Sequence, residues 1–235
     1  MSNRRTPHSI QSLAFQDVTL LGHEGEPVFE GMSADLPVNA VVWVRASSGG
    51  GKSKFLRLLA GLEEPDEGAY LINGTNVTEM NFSEFSPWQR RIGFGFESGG
   101  LLSNKTLSQN LMLPFFYHQN LAPAEAQERV DTYLSHFGLD RFKDRRPAAC
   151  SSGNRKLASL ALALITWPEL LILDSPTSGL DEGAIRKFLD LLEVHRSERG
   201  LKHLYVVSED ERLMETFTGH WKLDLADLQS KKAAA

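Results

Sequence analysis

Residues 46–53 read Ala46-Ser47-Ser48-Gly49-Gly50-Gly51-Lys52-Ser53, and the six residues before them are Ala40-Val41-Val42-Trp43-Val44-Arg45. A short apolar, β-branched run that ends at a glycine cluster predicts a buried strand feeding a tight loop. After the cluster, Phe55, Leu58 and Leu59 fall at i, i+3 and i+4, and Gly61 supplies a stop. That spacing predicts a helix of about two to three turns. Strand, glycine loop and helix together form a phosphate cradle. The glycines let successive backbone N–H groups turn inward into an anion-binding nest that a Cβ would obstruct. Lys52 can reach the terminal phosphates of a nucleotide, and the Ser53 hydroxyl can ligate Mg²⁺. The helix N-terminus adds the positive end of its dipole. Ser48 and Lys54 flank the cradle and complete the expected phosphate-contacting set. A glycine-rich loop without a ligand is the rival reading, disfavoured by the strand before and the helix after.

Further strands are predicted at residues 70–72, 92–96, 170–173 and 203–208. Residues 170–173 are apolar throughout, the pattern of a parallel strand covered on both faces. Helices alternate with these strands. Val130, Tyr133, Leu134 and Phe137 share a face before Gly138. Leu157, Leu160, Ala161, Leu164 and Ile165 form a second stripe, stopped near Pro168. Ile185, Phe188, Leu189 and Leu192 form a third, ending at Gly200. Strands flank a helix-rich middle, 98–168, which predicts an α/β core interrupted by a helical subdomain. Asp174 follows the apolar run at the C-terminal edge of its strand, where ligands of open parallel sheets sit. A strand-end Asp is often a cap; with a phosphate loop upstream, a second Mg²⁺ ligand is the stronger reading.

Composition narrows the function. The chain has 235 residues, 41% hydrophobic and 23% charged, enough apolar content to bury a core. The apolar run 160–165 is six residues long, against the ~20 that a membrane helix needs. No apolar segment follows the two N-terminal arginines, so no secretory signal is expected. A net charge of −5 argues against nucleic acid as a partner. Arg145-Arg146 and Lys231-Lys232 read as solvated edges, and residues 233–235 as a short disordered end. A single cysteine, Cys150, excludes an internal disulfide, and the seven histidines lack metal-binding spacings.

Asp174-Ser175-Pro176-Thr177-Ser178-Gly179-Leu180-Asp181 resembles the Walker B and D-loop segment of ATP-binding cassette (ABC) ATPases. The order of the other segments agrees. Residues 91–97, Arg-Ile-Gly-Phe-Gly-Phe-Glu, resemble the Q-loop strand. Cys150-Ser151-Ser152-Gly153-Asn154 stands where the signature belongs, and residues 206–210 where the switch-histidine loop belongs. The resemblance covers about 11–225. It implies an α/β fold of the P-loop NTPase type: a RecA-like core with a helical subdomain and an N-terminal antiparallel β region. The expected organisation is 11–97 and 169–225 as the core, 98–168 as the helical subdomain, and 1–10 and 226–235 as tails.

The departures from the family pattern are specific. The family's catalytic glutamate is Ser175 here, the Q-loop glutamine is Glu97, and the switch histidine is Glu209. The signature keeps Ser151 and Gly153. Leu21 and His23 are weak candidates for stacking on adenine, and Lys54 replaces a small hydroxyl residue. A serine cannot act as a carboxylate base, a role typically worth about 10²–10⁴-fold. If Glu97 and Glu209 face the γ-phosphate as their family counterparts do, each repels it by roughly 3 kcal/mol at ~6 Å and an effective dielectric of ~20. Ligation of Mg²⁺ by Glu97 would offset this, giving Ser53, Asp174 and Glu97 as the expected metal set. Glu209 acting as a displaced base is the alternative.

The resemblance implies ATP and Mg²⁺ as cofactors and head-to-tail pairing through 178–181 and 151–154, as a homodimer or as a heterodimer with another ABC subunit. Because signature and base position are both altered in one chain, neither pairing yields a complete site. The expected protein is therefore an ATP-binding subunit with little or no hydrolysis, peripheral on the cytoplasmic side of a membrane and serving a permease. Residues 101–118 resemble the segment that cradles a permease coupling helix, with likeness to Mce/Mla-type phospholipid-transport subunits. Core packing of Phe115-Phe116-Tyr117 is the plainer reading of part of that segment. Cys150 reads as a small buried stand-in for leucine or as a redox sensor. An active ATPase driving transport remains the competing function.

Overall fold

The computed structural model describes residues 9–22, 24–118 and 121–228. His23, Lys231-Lys232 and the expected disordered end 233–235 lie outside them. In chain order the elements are β1 (Leu13–Leu21), β2 (Pro27–Leu36), β3 (Val41–Arg45), α1 (Lys52–Leu59), β4 (Glu67–Ile72), β5 (Thr75–Asn76), α2 (Phe82–Gln89) and β6 (Ile92–Gly95). Then come α3 (Leu107–His118), α4 (Pro123–His136), α5 (Ser152–Leu164), β7 (Leu170–Asp174), α6 (Glu182–Glu198), β8 (His203–Val207), α7 (Glu211–Glu215), β9 (Trp221–Asp224) and α8 (Leu225–Leu228).

Two sheets result. β2-β1-β4-β5 is antiparallel, and β6-β7-β8-β3-β9 is parallel throughout. The period of two along the parallel strands splits their side chains between two cores. Val41, Trp43, Leu171, Leu173, Leu204 and Val206 face one core with α3, α4, α5 and α6. Val42, Val44, Leu170, Ile172, Tyr205 and Val207 face the other, with α1 and the antiparallel sheet. All five residues of β7 and all five of β8 are buried, which is why these stretches carry no polar alternation. The α/β fold of the P-loop type, with its helical insertion and antiparallel region, is as expected.

The expected strand at 70–72 begins at Glu67, because β4 pairs along β1 as far as Thr19↔Glu67. The strand expected at 92–96 stops at Gly95, and that at 203–208 stops at Val207. Helices α2 and α3 lie outside the predicted set. α2 opens with a capping box in which Asn81 and Glu84 each accept from the other's backbone N–H. Both helices contain a proline, Pro87 and Pro114, which reads locally as a breaker. Buried Asn110 secures α3: its amide donates to Leu102, Lys105 and Thr106 carbonyls and its Oδ1 accepts from Leu102 N–H.

The starts of β6, β7 and β8 are clasped by buried Glu169. Its carboxylate lies 2.9 Å from Arg91 Nη1 and 3.0 Å from Lys202 Nζ, and accepts from Ile10 N–H and the Ser9 hydroxyl. Burial by itself would raise this carboxyl. Hydrogen bonds from Ser9, Lys202 and Ile10 hold it below the ordinary 4.5. The clasp fixes one end of the parallel sheet; the glycine loop lies at the other.

Candidate functional site

The loop after β3 takes the nest conformation. Gly49 and Gly51 have φ of 76° and 77°, a region L residues rarely occupy. A Cβ at Gly51 would sit 2.7 Å from both Val28 Cγ1 and Phe29 Cζ, and one at Gly50 would sit 2.8 Å from Ala46 Cβ. Nothing larger than glycine fits the second and third positions. Gly51 carbonyl accepts from Phe55 N–H at 2.8 Å, starting α1 without a side-chain cap or an acidic residue in its first turn. The helix thus presents its first N–H groups to the loop. Lys52 curls back so that Nζ donates to Ala46 carbonyl at 3.3 Å. This cradle fits an anionic phosphate chain.

Lys52 and Ser48 share a cavity of about 260 Å³ with Arg45, Trp43, Ser208 and Glu209. Trp43 Nε1 donates to Ser208 carbonyl at 3.1 Å, tying β3 to the loop that carries Glu209. Arg45 stands 5.0 Å from the Trp43 ring centroid. Lys54 is engaged beside the cradle: its Nζ donates to Leu21 carbonyl at 3.0 Å and lies 3.4 Å from Glu63. Leu21 is 38% exposed.

Glu97 lines a different cavity, also about 260 Å³, with Ser98, Ser152, Lys156, Ser178 and Gly179. The two glutamates expected to face one phosphate therefore line separate cavities. Lys156 stands at the second. Only 8% exposed, its Nζ donates to the carbonyls of Phe96 (2.8 Å), Glu97 (3.0 Å) and Asp174 (3.3 Å). Burial pulls the ammonium down to about 8, against the opposing pull of Asp174 and Glu97.

Asp174 is buried at the end of β7, opposite Val207 of β8. Ser175 follows in a left-handed conformation, φ 46°, its N–H donating to Val207 carbonyl at 2.9 Å. Ser151 caps α5, accepting from Asn154 N–H at 3.2 Å. Gly153 lies against the D-loop-like turn: a Cβ there would be 3.8 Å from Gly179 carbonyl and 3.9 Å from Leu180. Cys150 is buried and its thiol faces Arg146 carbonyl at 3.5 Å, consistent with the small apolar reading.

Arg45 and Lys156 were not among the residues picked out by pattern. A cation closing an apolar run immediately before the glycine loop was the available signal for Arg45. For Lys156 it was a lysine inside the run Lys156-Leu157-Ala158-Ser159-Leu160-Ala161, all of it buried.

Comparison with known proteins identifies the fold's relatives. The family profile described as ABC transporter matches residues 29–178. Methionine import ATP-binding protein MetN of Caulobacter vibrioides is 33% identical over 198 residues, covering 84% of this chain and 59% of MetN, so the chain spans little more than half of that relative. ABC transporter ATP-binding protein YtrE of Bacillus subtilis is 31% identical, covering 88% of each. Among solved structures, the dimeric bacterial ABC transporter cassette MJ0796 superposes with a TM-score of 0.80 at 25% identity, over 94% of this chain and 97% of that one. The same cassette in a post-hydrolysis dimer bound to ADP and Pi gives 0.76 at 26% identity, over 86% of this chain and 89% of that one. The chain belongs to the ABC transporter family, whose ATP-binding domains use ATP with Mg²⁺.

Proposed function

We propose that this member of the ABC transporter family is an ATP-binding subunit that grips nucleotide and hydrolyses it slowly or not at all. The observation that carries the reading is the contrast between two neighbouring places. In the nest before Lys52, Gly50 and Gly51 leave no room for a Cβ and Gly49 holds a left-handed φ of 76°, as a phosphate cradle requires. At the end of β7, a hydroxyl, Ser175, follows Asp174 where a water-activating carboxylate would be needed. In this reading the backbone N–H groups of residues 49–53, with Ser48 beside them, hold the phosphates and Lys52 neutralises the terminal one. Ser53 and Asp174 would hold Mg²⁺, which supplies charge compensation when bound; Glu97, in a separate cavity, is the third candidate ligand. Ser151 and Gly153, next to Gly179, belong to the dimer face.

We further propose that the chain acts as a structural or regulatory partner of a membrane permease on its cytoplasmic side, as a homodimer or with another ABC subunit. No helix among the described residues is long and apolar enough to cross a membrane. The exposed aromatic pair Phe116 and Tyr117 on α3, 64% and 76% exposed, with Leu102 at 50%, supports a docked permease, while Phe115 packs into the core. Lipid as the cargo rests on the resemblance of residues 101–118 to phospholipid-transport subunits.

Purified chain, alone and with its permease, is expected to bind Mg-ATP saturably and release phosphate at background rates, with binding lost in Lys52→Ala. Clear turnover abolished by Lys52→Ala would overturn the non-hydrolysing reading. A second reading, an active ATPase with Glu209 as displaced base, is favoured by Glu209 sharing the Lys52 cavity. It requires turnover that disappears in Glu209→Gln.

A further inference from the structure

A cavity larger than the two beside the glycine loop and Glu97 lies elsewhere. α4, α6 and the loop between α5 and β7 enclose about 440 Å³, within the range of small-molecule sites, roughly 300–1,000 Å³. Trp167 stands in that loop with φ 57°. The Arg129 guanidinium lies 3.7 Å from its ring centroid and that of Arg199 lies 4.2 Å away. Two cations thus share one indole, and their donors are barely used. Among the described residues, Arg129 donates to Ile165 carbonyl at a long 3.4 Å and reaches Glu125 at 4.0 Å. The Arg199 side chain has no hydrogen bond or ion pair among them.

Behind the guanidiniums lies a buried polar relay. Tyr133 Oη lies 2.6 Å from His195 Nε2 and 3.4 Å from the Leu164 carbonyl. His195 Nδ1 is the one buried side-chain polar atom among the described residues with no partner. The imidazole lines the same cavity. The remaining wall is apolar, with Leu191, and Val194 and Trp167 38% and 37% exposed. Glu125 and Glu128 also line the cavity and are exposed. Two exposed carboxylates balance the two guanidiniums in formal charge, so the cavity meets a single negative charge with less repulsion than a dianion.

We propose that this cavity binds a small amphipathic monocarboxylate, its acid group received by Arg129 and Arg199 and its apolar body lying against Trp167, Leu191 and Val194. No lining residue is shared with the cavities beside the glycine loop or Glu97. The site is thus separate from the nucleotide reading and stands or falls without it. α4 comes from the helical insertion, whereas α6 follows β7 of the parallel sheet, so an occupant touches both.

Calorimetric titration of the full chain with sodium octanoate, 1-octanol and sodium acetate tests the proposal. Octanoate is expected to bind saturably at one site, about tenfold or more tighter than either control, the scale of one charge-assisted hydrogen bond. Arg199→Gln, at an exposed position, is expected to weaken octanoate about tenfold and leave octanol unchanged. Val194→Trp, which fills the cavity, is expected to abolish octanoate binding, and Lys52→Ala to leave it intact. Equal binding of octanoate and octanol, absence of saturation, or octanoate affinity unchanged in Arg199→Gln would overturn it.

Discussion

Glu209→Gln changes one charge and almost no volume in the cavity that holds Lys52, so it isolates the electrostatic cost of that carboxylate. A sphere of the cavity's 260 Å³ is ~8 Å across, and unit charges on opposite walls then interact by ~2 kcal/mol at an effective dielectric of ~20, or ~0.5 kcal/mol at ~80. Glu209 is exposed, so solvent screening places the effect between these limits, about 1 kcal/mol per phosphate charge. Glu209→Gln is therefore expected to tighten ATP binding about fivefold, within bounds of roughly two- and thirtyfold. Arg45→Gln, on the same cavity wall, should weaken binding by a comparable factor. Equilibrium titration with a fluorescent ATP analogue reads both. Raising the salt to 1 M, where the Debye length is about 3 Å, should erase most of each difference. If Glu209→Gln leaves affinity unchanged at low salt while Arg45→Gln weakens it, Glu209 does not face the bound phosphates and the repulsion argument fails.

Ser175→Glu restores a carboxylate at a position whose left-handed backbone already holds a side chain. Phosphate release is expected to rise by up to ~10²-fold, the low end for a general base, because Cys150 to Asn154 stay altered; an unchanged rate with intact Mg-ATP binding would move the block to that segment. Burial, with Arg199 and Arg129 nearby, lowers His195 from 6.5 to about 4. The unfolded chain then binds more protons between those values, so stability should fall by about 3 kcal/mol as pH drops from 6.5 to 4. Denaturant midpoints of His195→Leu should lack that slope, and an identical slope in the variant would refute the assignment. Glu169→Gln leaves Arg91 and Lys202 without their carboxylate. With both cations partly exposed, the cost should be about 1–3 kcal/mol, below the 3–5 of a fully buried pair. Because the Glu169 carboxyl is held below 4.5, that stability is present above 4.5 and lost as pH falls through the lowered value. The wild-type and Glu169→Gln midpoints should therefore converge in acid; a constant gap down to pH 2 would argue for a purely steric effect.

Much of the fold was legible because its signals are local. The run before Ala46, the glycines after it and the spacing of Phe55, Leu58 and Leu59 sit within a few residues of each other, and each encodes one element. The same is true of β7, β8 and the stripes on α4, α5 and α6. α2 and α3 were hidden because Pro87 and Pro114 look like breakers. In place, the Asn81–Glu84 capping box and the buried amide of Asn110 hold those helices. The site was half legible. The cradle follows from residue type and order, but the separation of Glu97 from Glu209 depends on how β6 and β8 flank β7. Lys156 was hidden for a related reason. Its three acceptors come from two segments 18 or more positions away, and a short-range period carries no record of them.

That ammonium has a mechanical meaning. One flexible stem grips the strand end that carries Asp174 and the segment that carries Glu97, much as a single bolt passes through two plates. If the segment around Glu97 shifts, the bolt must tilt, slip or drag Asp174 along. The strand end and that segment are then tied by one side chain rather than by a diffuse wall, so neither can move without straining the other's grip on it.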